Sequence, residues 1–180
     1  MTNENRIEWK LWVQWVLVYV ISTAIGFRIA IRLPHLIDGN SIEDALYEIL
    51  GWLIYSFIVG FAQWLVLFQY GISGWWIPVT IIGVFFSFIE DGSFLLVSVL
   101  QSLVLWRRVR WAGLWIVAHL PSFLYQWVLE WTINQQLPVN WSYTDRMFFS
   151  FLMGILIGAI FSGFALVWLL RYPKLKNLAP

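Results

Sequence analysis

Residues 147–170 read MFFSFLMGILIGAIFSGFALVWLL, a run of 24 residues without a charged side chain. A helix needs about 20 mostly apolar residues to cross the hydrocarbon core of a membrane. The run therefore predicts a membrane-spanning helix. Apolar segments at 11–30, 49–68 and 111–131 predict three more.

Two shorter apolar segments, at 75–89 and 94–106, stand on either side of the polar residues Glu90 and Asp91. They form either a re-entrant hairpin or two short crossings. We favour two crossings, which predicts an all-α integral membrane protein with about six transmembrane helices. The whole chain, residues 1–180, is then a single transmembrane domain.

Composition supports this class and excludes several others. The chain is 61% hydrophobic and 12% charged, against about 45–50% and about 25% in a soluble domain. A net charge of +1 without a basic cluster argues against nucleic acid as a partner. The chain has no cysteine and only two histidines, so we expect neither a disulfide nor a metal site.

Three helix ends resemble one another: GFAQWLVLF at 60–68, SVLQSLVLW at 98–106 and GFALVWLLR at 163–171. This internal repeat predicts three tandem helical hairpins. Gln63 and Gln101 occupy equivalent positions, where we expect hydrogen bonds between helices. The third copy has Leu166 there, which breaks any threefold polar ring.

Small residues recur at intervals of four, a spacing that lets helix backbones approach closely in lipid. We expect them to pack helices together within one chain, with a homo-oligomer interface as the alternative. Together with the two glutamines, the predicted packing residues are Ser56, Gly60, Gln63, Gln101, Gly154, Gly158, Ser162 and Gly163.

Charge predicts the orientation in the membrane. With an even number of spans, eight of the eleven basic residues fall on the side of both termini. Cytoplasmic flanks are enriched in Lys and Arg, so we expect both termini in the cytoplasm of a bacterial plasma or thylakoid membrane. Tryptophans near helix ends, Trp75 and Trp76 among them, predict aromatic belts.

The other side offers a candidate ligand site. The outer connections bring carboxylates and aromatic rings together, which suits a cation or an amphipathic amine. Alternatively, the loops fill this space and the carboxylates are solvated. The candidate residues are Glu90, Asp91, Glu130, Trp131, Trp141 and Tyr143, with His119 deeper in the fifth helix.

One motif is typical of an enzyme. Gly71-Ile72-Ser73-Gly74 and the later Ala118-His119 resemble the nucleophile and base motifs of rhomboid intramembrane proteases. Bulky Trp75-Trp76 follows, where that family has small residues. We therefore interpret Ser73 as a turn residue and expect no enzymatic activity.

The sequences QWLVL at 63–67 and GWW at 74–76, with the tail at 163–171, resemble an uncharacterised family of small multi-pass proteins common in photosynthetic bacteria. This resemblance implies six helices and brings no catalytic residues. The sequence departs from the family pattern at Ser102 and at Gln69-Tyr70.

These observations favour a non-enzymatic accessory or scaffold protein without a required cofactor, which binds lipid, pigment or a membrane partner. It could belong to a larger membrane complex or a homo-oligomer. The alternative is a component that captures or transports a small solute. Six helices and cytoplasmic termini are similar to the substrate-binding components of energy-coupling-factor vitamin transporters. The third hypothesis is an intramembrane enzyme.

Overall fold

The computed structural model of the protein describes residues 3–33, 41–89, 95–126 and 141–171. This part of the chain forms six α-helices and no β-strand. The helices are α1 (Asn3–Arg32), α2 (Ser41–Phe68), α3 (Trp76–Ile89), α4 (Leu95–Trp106), α5 (Leu114–Leu124) and α6 (Tyr143–Arg171).

Three helices, α1, α2 and α6, are long and apolar enough to cross a membrane. The other three have 14, 12 and 11 residues and rise only about 16–21 Å at about 1.5 Å per residue. The hydrocarbon core is about 30 Å thick. By length, the prediction of six spans is therefore correct for three helices only.

Helix bounds differ from prediction by more than one residue at four helices: α1 and α2 each begin eight residues early, and α5 and α6 differ as well. For α5, predicted over 111–131, residues 111–113 form tight turns instead, with Trp115 N donating to Ala112 O at 3.0 Å. Its α-helical part contains Pro121 and passes into a wider π turn at residues 125–126. In contrast, α6 begins four residues early, because the Ser142 hydroxyl accepts a hydrogen bond from Asp145 N at 3.1 Å as an N-cap.

The six helices form a closed ring. Each helix contacts the next one along the chain, α6 contacts α1, and no other pair of described helices packs backbone to backbone. Trp12 closes the ring, since its Nε1 donates to the Ile160 carbonyl of α6 at 3.2 Å. Gly163 permits this contact, because a Cβ there would lie 2.9 Å from the Trp12 indole.

The outer surface of the ring is apolar. Along α1, large side chains exposed by 38–53% recur every four residues: Val13, Leu17, Ile21, Ile25 and Ile29. Amides, hydroxyls and an imidazole are buried instead, among them Gln63, Thr80 and Gln101. A water-soluble protein has the reverse distribution, so this surface suits a hydrocarbon surrounding.

The predicted packing glycines contact neighbouring helices of the same chain. A Cβ added at any of the four would lie 2.9–3.1 Å from a side chain on another helix, closer than such atoms normally approach. The pairs are Gly60 with Thr80, Gly154 with Tyr125, Gly158 with Ser122 and Gly163 with Trp12. Ser56 is buried too, but its hydroxyl donates within α2, to Trp52 O at 2.9 Å.

Candidate functional site

The predicted outer site lies mostly beyond the described residues. Glu90, Asp91, Glu130 and Trp131 fall outside them, so the proposed group of carboxylates stays a prediction. Trp141 and Tyr143 are exposed at the start of α6. The last candidate, His119, is buried in the ring and belongs to a different cluster of residues.

Three tryptophans fill the centre of the ring. Trp15, Trp76 and Trp115 come from α1, α3 and α5, and each is 0% exposed. Their rings meet edge to face, with centroids 5.5–6.2 Å apart, a geometry that aromatic pairs favour. We call these three residues the tryptophan cluster. Trp76 is thus a core residue, and its prediction as part of an aromatic belt is wrong.

Each indole of the cluster donates a hydrogen bond to an even-numbered helix. Trp76 Nε1 donates to Gln63 Oε1, Trp115 Nε1 to Gln101 Oε1, and Trp15 Nε1 to Ser162 Oγ, all at 3.0 Å. The third acceptor is therefore Ser162, one helical turn before Leu166, and its hydroxyl contacts Trp15 and Ala159 O but neither glutamine. Leu166 is fully buried in an apolar layer next to the cluster.

The two glutamines also bond to each other. Gln101 Nε2 donates to Gln63 Oε1 at 3.3 Å and to Thr80 Oγ1 at 2.9 Å. Thr80 Oγ1 in turn donates to Trp76 O at 2.8 Å. Buried polar groups are costly unless they are paired, and this network pairs them across α2, α3, α4 and α5.

The two sides of the tryptophan cluster differ in polarity. The end of the ring where α1 begins and α6 ends carries Lys10, Arg107, Arg108, Arg110 and Arg171, and we call it the basic end. Between this end and the cluster lies an apolar layer that includes Leu11, Leu67, Ile72, Leu105 and Leu166.

Beyond the cluster, away from the basic end, lies a chamber lined by both polar and apolar side chains. One turn after each tryptophan of the cluster a polar residue follows on the same helix face: Tyr19, Thr80 and His119. The space open to the centres of water molecules measures about 30 Å³. The chamber is lined by Tyr19, Tyr55, Val59, Gln63, Thr80, Val84, Leu95, Val97, Gln101, His119, Ser122, Phe123, Gln126, Gly154 and Ile155.

A second space is far larger and lies on the apolar outside of the ring, between α1, α5 and α6. This groove has a volume of about 940 Å³. Its lining is aromatic and aliphatic apart from one charged residue, Arg171, at the basic end. The lining residues are Trp9, Trp12, Leu114, Val117, Ala118, Pro121, Phe161, Phe164, Ala165, Val167, Trp168 and Arg171.

Ser73 and His119 do not form a catalytic pair. Ser73 lies in the connection between α2 and α3 and lines a small cavity with Trp75 and Arg107. His119 lines the chamber, and its Nδ1 bonds to Trp115 O at 2.8 Å. Within the described ranges, no three His, Asp or Glu side chains group as metal ligands would.

The fold and these sites define a class: an α-helical protein with an apolar exterior, a hydrogen-bonded polar interior and three helices able to span a membrane. Comparisons with protein-family models, curated proteins and solved structures find no match. The resemblance to the family from photosynthetic bacteria therefore stays a prediction.

Proposed function

We propose that this chain is a non-enzymatic accessory protein of a bacterial membrane that binds an anionic phospholipid in the groove between α1, α5 and α6. All six helices cross the bilayer in this proposal, and the short helices α3, α4 and α5 are accommodated by local thinning of the lipid. The basic end faces the cytoplasm, as the charge bias of the sequence indicates.

The observation that carries the proposal is the groove itself. Ligand sites usually measure about 300–1,000 Å³ and are mostly apolar, with few polar groups. At about 940 Å³, the groove lies within that range. The chamber, at about 30 Å³, is too small for a lipid, a pigment or a vitamin.

Charge supports an anionic headgroup. Lys10, Arg107, Arg108 and Arg110 lie at the same end of the ring as the groove's Arg171. Basic pockets between helices on the cytoplasmic side of a membrane are typical sites for anionic headgroups. An acyl chain then extends along Pro121, Phe161 and Phe164, away from the basic end.

Native mass spectrometry of the purified protein tests this function. We expect retained phosphatidylglycerol in preference to phosphatidylcholine of the same chain length. Arg171→Gln should reduce that preference about fivefold, since a basic residue near an anionic membrane surface contributes about 1 kcal/mol.

Two matched variants locate the bound lipid. Ala165→Phe places a ring in the groove, whereas Ala62→Phe places the same ring on α2, away from the groove. Lipid retention should fall in the first variant and persist in the second. Equal retention in both variants would refute the groove as the site.

A further inference from the structure

His119 presents an unused hydrogen-bond acceptor to the chamber. A carbonyl oxygen only accepts hydrogen bonds, so the 2.8 Å contact with Trp115 O places the ring proton on Nδ1. Nε2 of the neutral ring then carries a lone pair. It bonds to no described protein group, although the side chain is only 9% exposed.

Several other polar groups around the chamber are already paired. The Gln101 amide bonds to Thr80, Gln63 and Trp115, and the Ser122 hydroxyl donates to His119 O at 2.8 Å. His119 Nε2 is matched by a ligand that supplies an O–H or N–H donor. Apart from His119, whose ring is neutral here, no acidic or basic residue lines the chamber in the described part of the chain, so a neutral ligand fits best.

Size narrows the ligand class further. A buried water needs about 10–15 Å³ of such volume, so about 30 Å³ admits two waters and little more. An acceptor buried without a partner is unfavourable, and a bound water normally supplies one. Toward the basic end the fully buried tryptophan cluster blocks passage.

We propose that the chamber is a binding site for neutral, water-sized hydrogen-bond donors, water or ammonia, with His119 Nε2 as the acceptor. This site is separate from the lipid groove, and neither proposal depends on the other.

The first test is radiolytic labelling of the protein in nanodiscs, in which an X-ray pulse turns bound water into hydroxyl radicals that modify adjacent side chains. We expect modification of Tyr55 and His119 although both are buried. Unmodified Tyr55 and His119 would show a dry chamber and overturn the proposal.

Substitutions that each add one methyl group test where the water binds. Val84→Ile and Val97→Ile each add one methyl group, about the size of one water, to the chamber lining. One substitution should reduce labelling of His119 about twofold and both together should abolish it, because the chamber holds about two waters. Val13→Ile adds the same group to the exposed face of α1 and should change nothing. Undiminished labelling in the double variant would overturn the proposal.

Nitrogen NMR of ¹⁵N-histidine-labelled protein tests the acceptor without relying on variants that could fold poorly. We expect a protonated Nδ1 and an unprotonated Nε2, and a protonated Nε2 would overturn the assignment. Titration with ammonium chloride at constant ionic strength separates the two ligands. A saturable shift of the Nε2 resonance indicates ammonia, and a constant resonance indicates water alone.

Discussion

At the residue scale, the hydrogen bonds of the tryptophan cluster determine which helices pair inside the ring. An indole N–H that is buried without an acceptor costs about 1–3 kcal/mol, while polar contacts inside membrane proteins contribute about 0.6 kcal/mol on average. Removing an acceptor and leaving its donor buried should therefore cost more than removing a hydroxyl that serves only its own helix.

Ser162→Ala tests this difference, because it leaves Trp15 Nε1 without its 3.0 Å partner. We expect a loss of about 1–2 kcal/mol in the free energy of unfolding. Ser98→Ala is the control, since Ser98 is equally buried but donates only to Leu95 O within α4. Unfolding in mixed micelles, followed by tryptophan fluorescence, measures both variants. Equal losses would contradict the role of Ser162 as the third acceptor.

The sequence indicated the two glutamines as contacts between helices but not their tryptophan partners. Tryptophans near helix ends usually lie at the membrane interface, and Trp9, Trp75, Trp106 and Trp111 are indeed 52–63% exposed. Trp76 stands next to Trp75 and is fully buried. A signal was present, since Trp15, Trp76 and Trp115 each precede a polar residue by four positions, on one helix face.

At the element scale, backbone approach decides which helices can be neighbours. Spacing by four identified the glycines on α2 and α6, but Gly83 on α3 was not among the predicted packing residues, although Ser87 follows it at that spacing. A Cβ at Gly83 would lie 2.7 Å from Val97 Cα of α4. The partner is backbone, which cannot rotate away, so a single methyl group must separate the two helices.

Gly83→Ala should therefore destabilise the protein by about 1–3 kcal/mol through overpacking. Gly113→Ala is the matched control, because nothing lies within 4 Å of its added Cβ and its φ of −61° suits alanine. We expect that variant to be neutral or more stable by about 0.4–1 kcal/mol. Thermal unfolding in detergent measures both. Equal stability of the two variants would show that α3 and α4 separate freely.

The ring explains why helix lengths were harder to predict than helix positions. Five of its six contacts join consecutive helices, as is usual for elements that follow one another along a chain. The sixth, between α1 and α6, depends on Trp12 meeting the Ile160 carbonyl beside Gly163, and no sequence pattern indicates such a pairing. Ring closure also buries the short helices α3 to α5 against neighbours, so length alone does not decide whether they cross the bilayer.

At the scale of the whole molecule, the ring has two chemically different ends. Trp9 and Trp168 line the same groove, so the start of α1 and the end of α6 lie at one end. The connections from α2 to α3 and from α4 to α5 meet at that end as well. Arg108 lies against Gly71 there, 3.0 Å from the position of an added Cβ. Because cytoplasmic flanks of membrane helices are enriched in Lys and Arg, we expect this basic end to face the cytoplasm.

Single-cysteine labelling tests this arrangement without competition, because the native chain contains no cysteine. We expect positions 108 and 176 to react only after the cells are permeabilised. Positions 40 and 138 should react from outside in intact cells. One arrangement of the helices fixes the side of the membrane on which all four positions lie. If α3 and α4 formed a re-entrant hairpin, the ring would still place 108 at the basic end, and position 92 between them would stay inaccessible from outside. Labelling of position 92 from outside supports two short crossings, whereas labelling of position 108 from outside would refute both the orientation and the six-crossing ring.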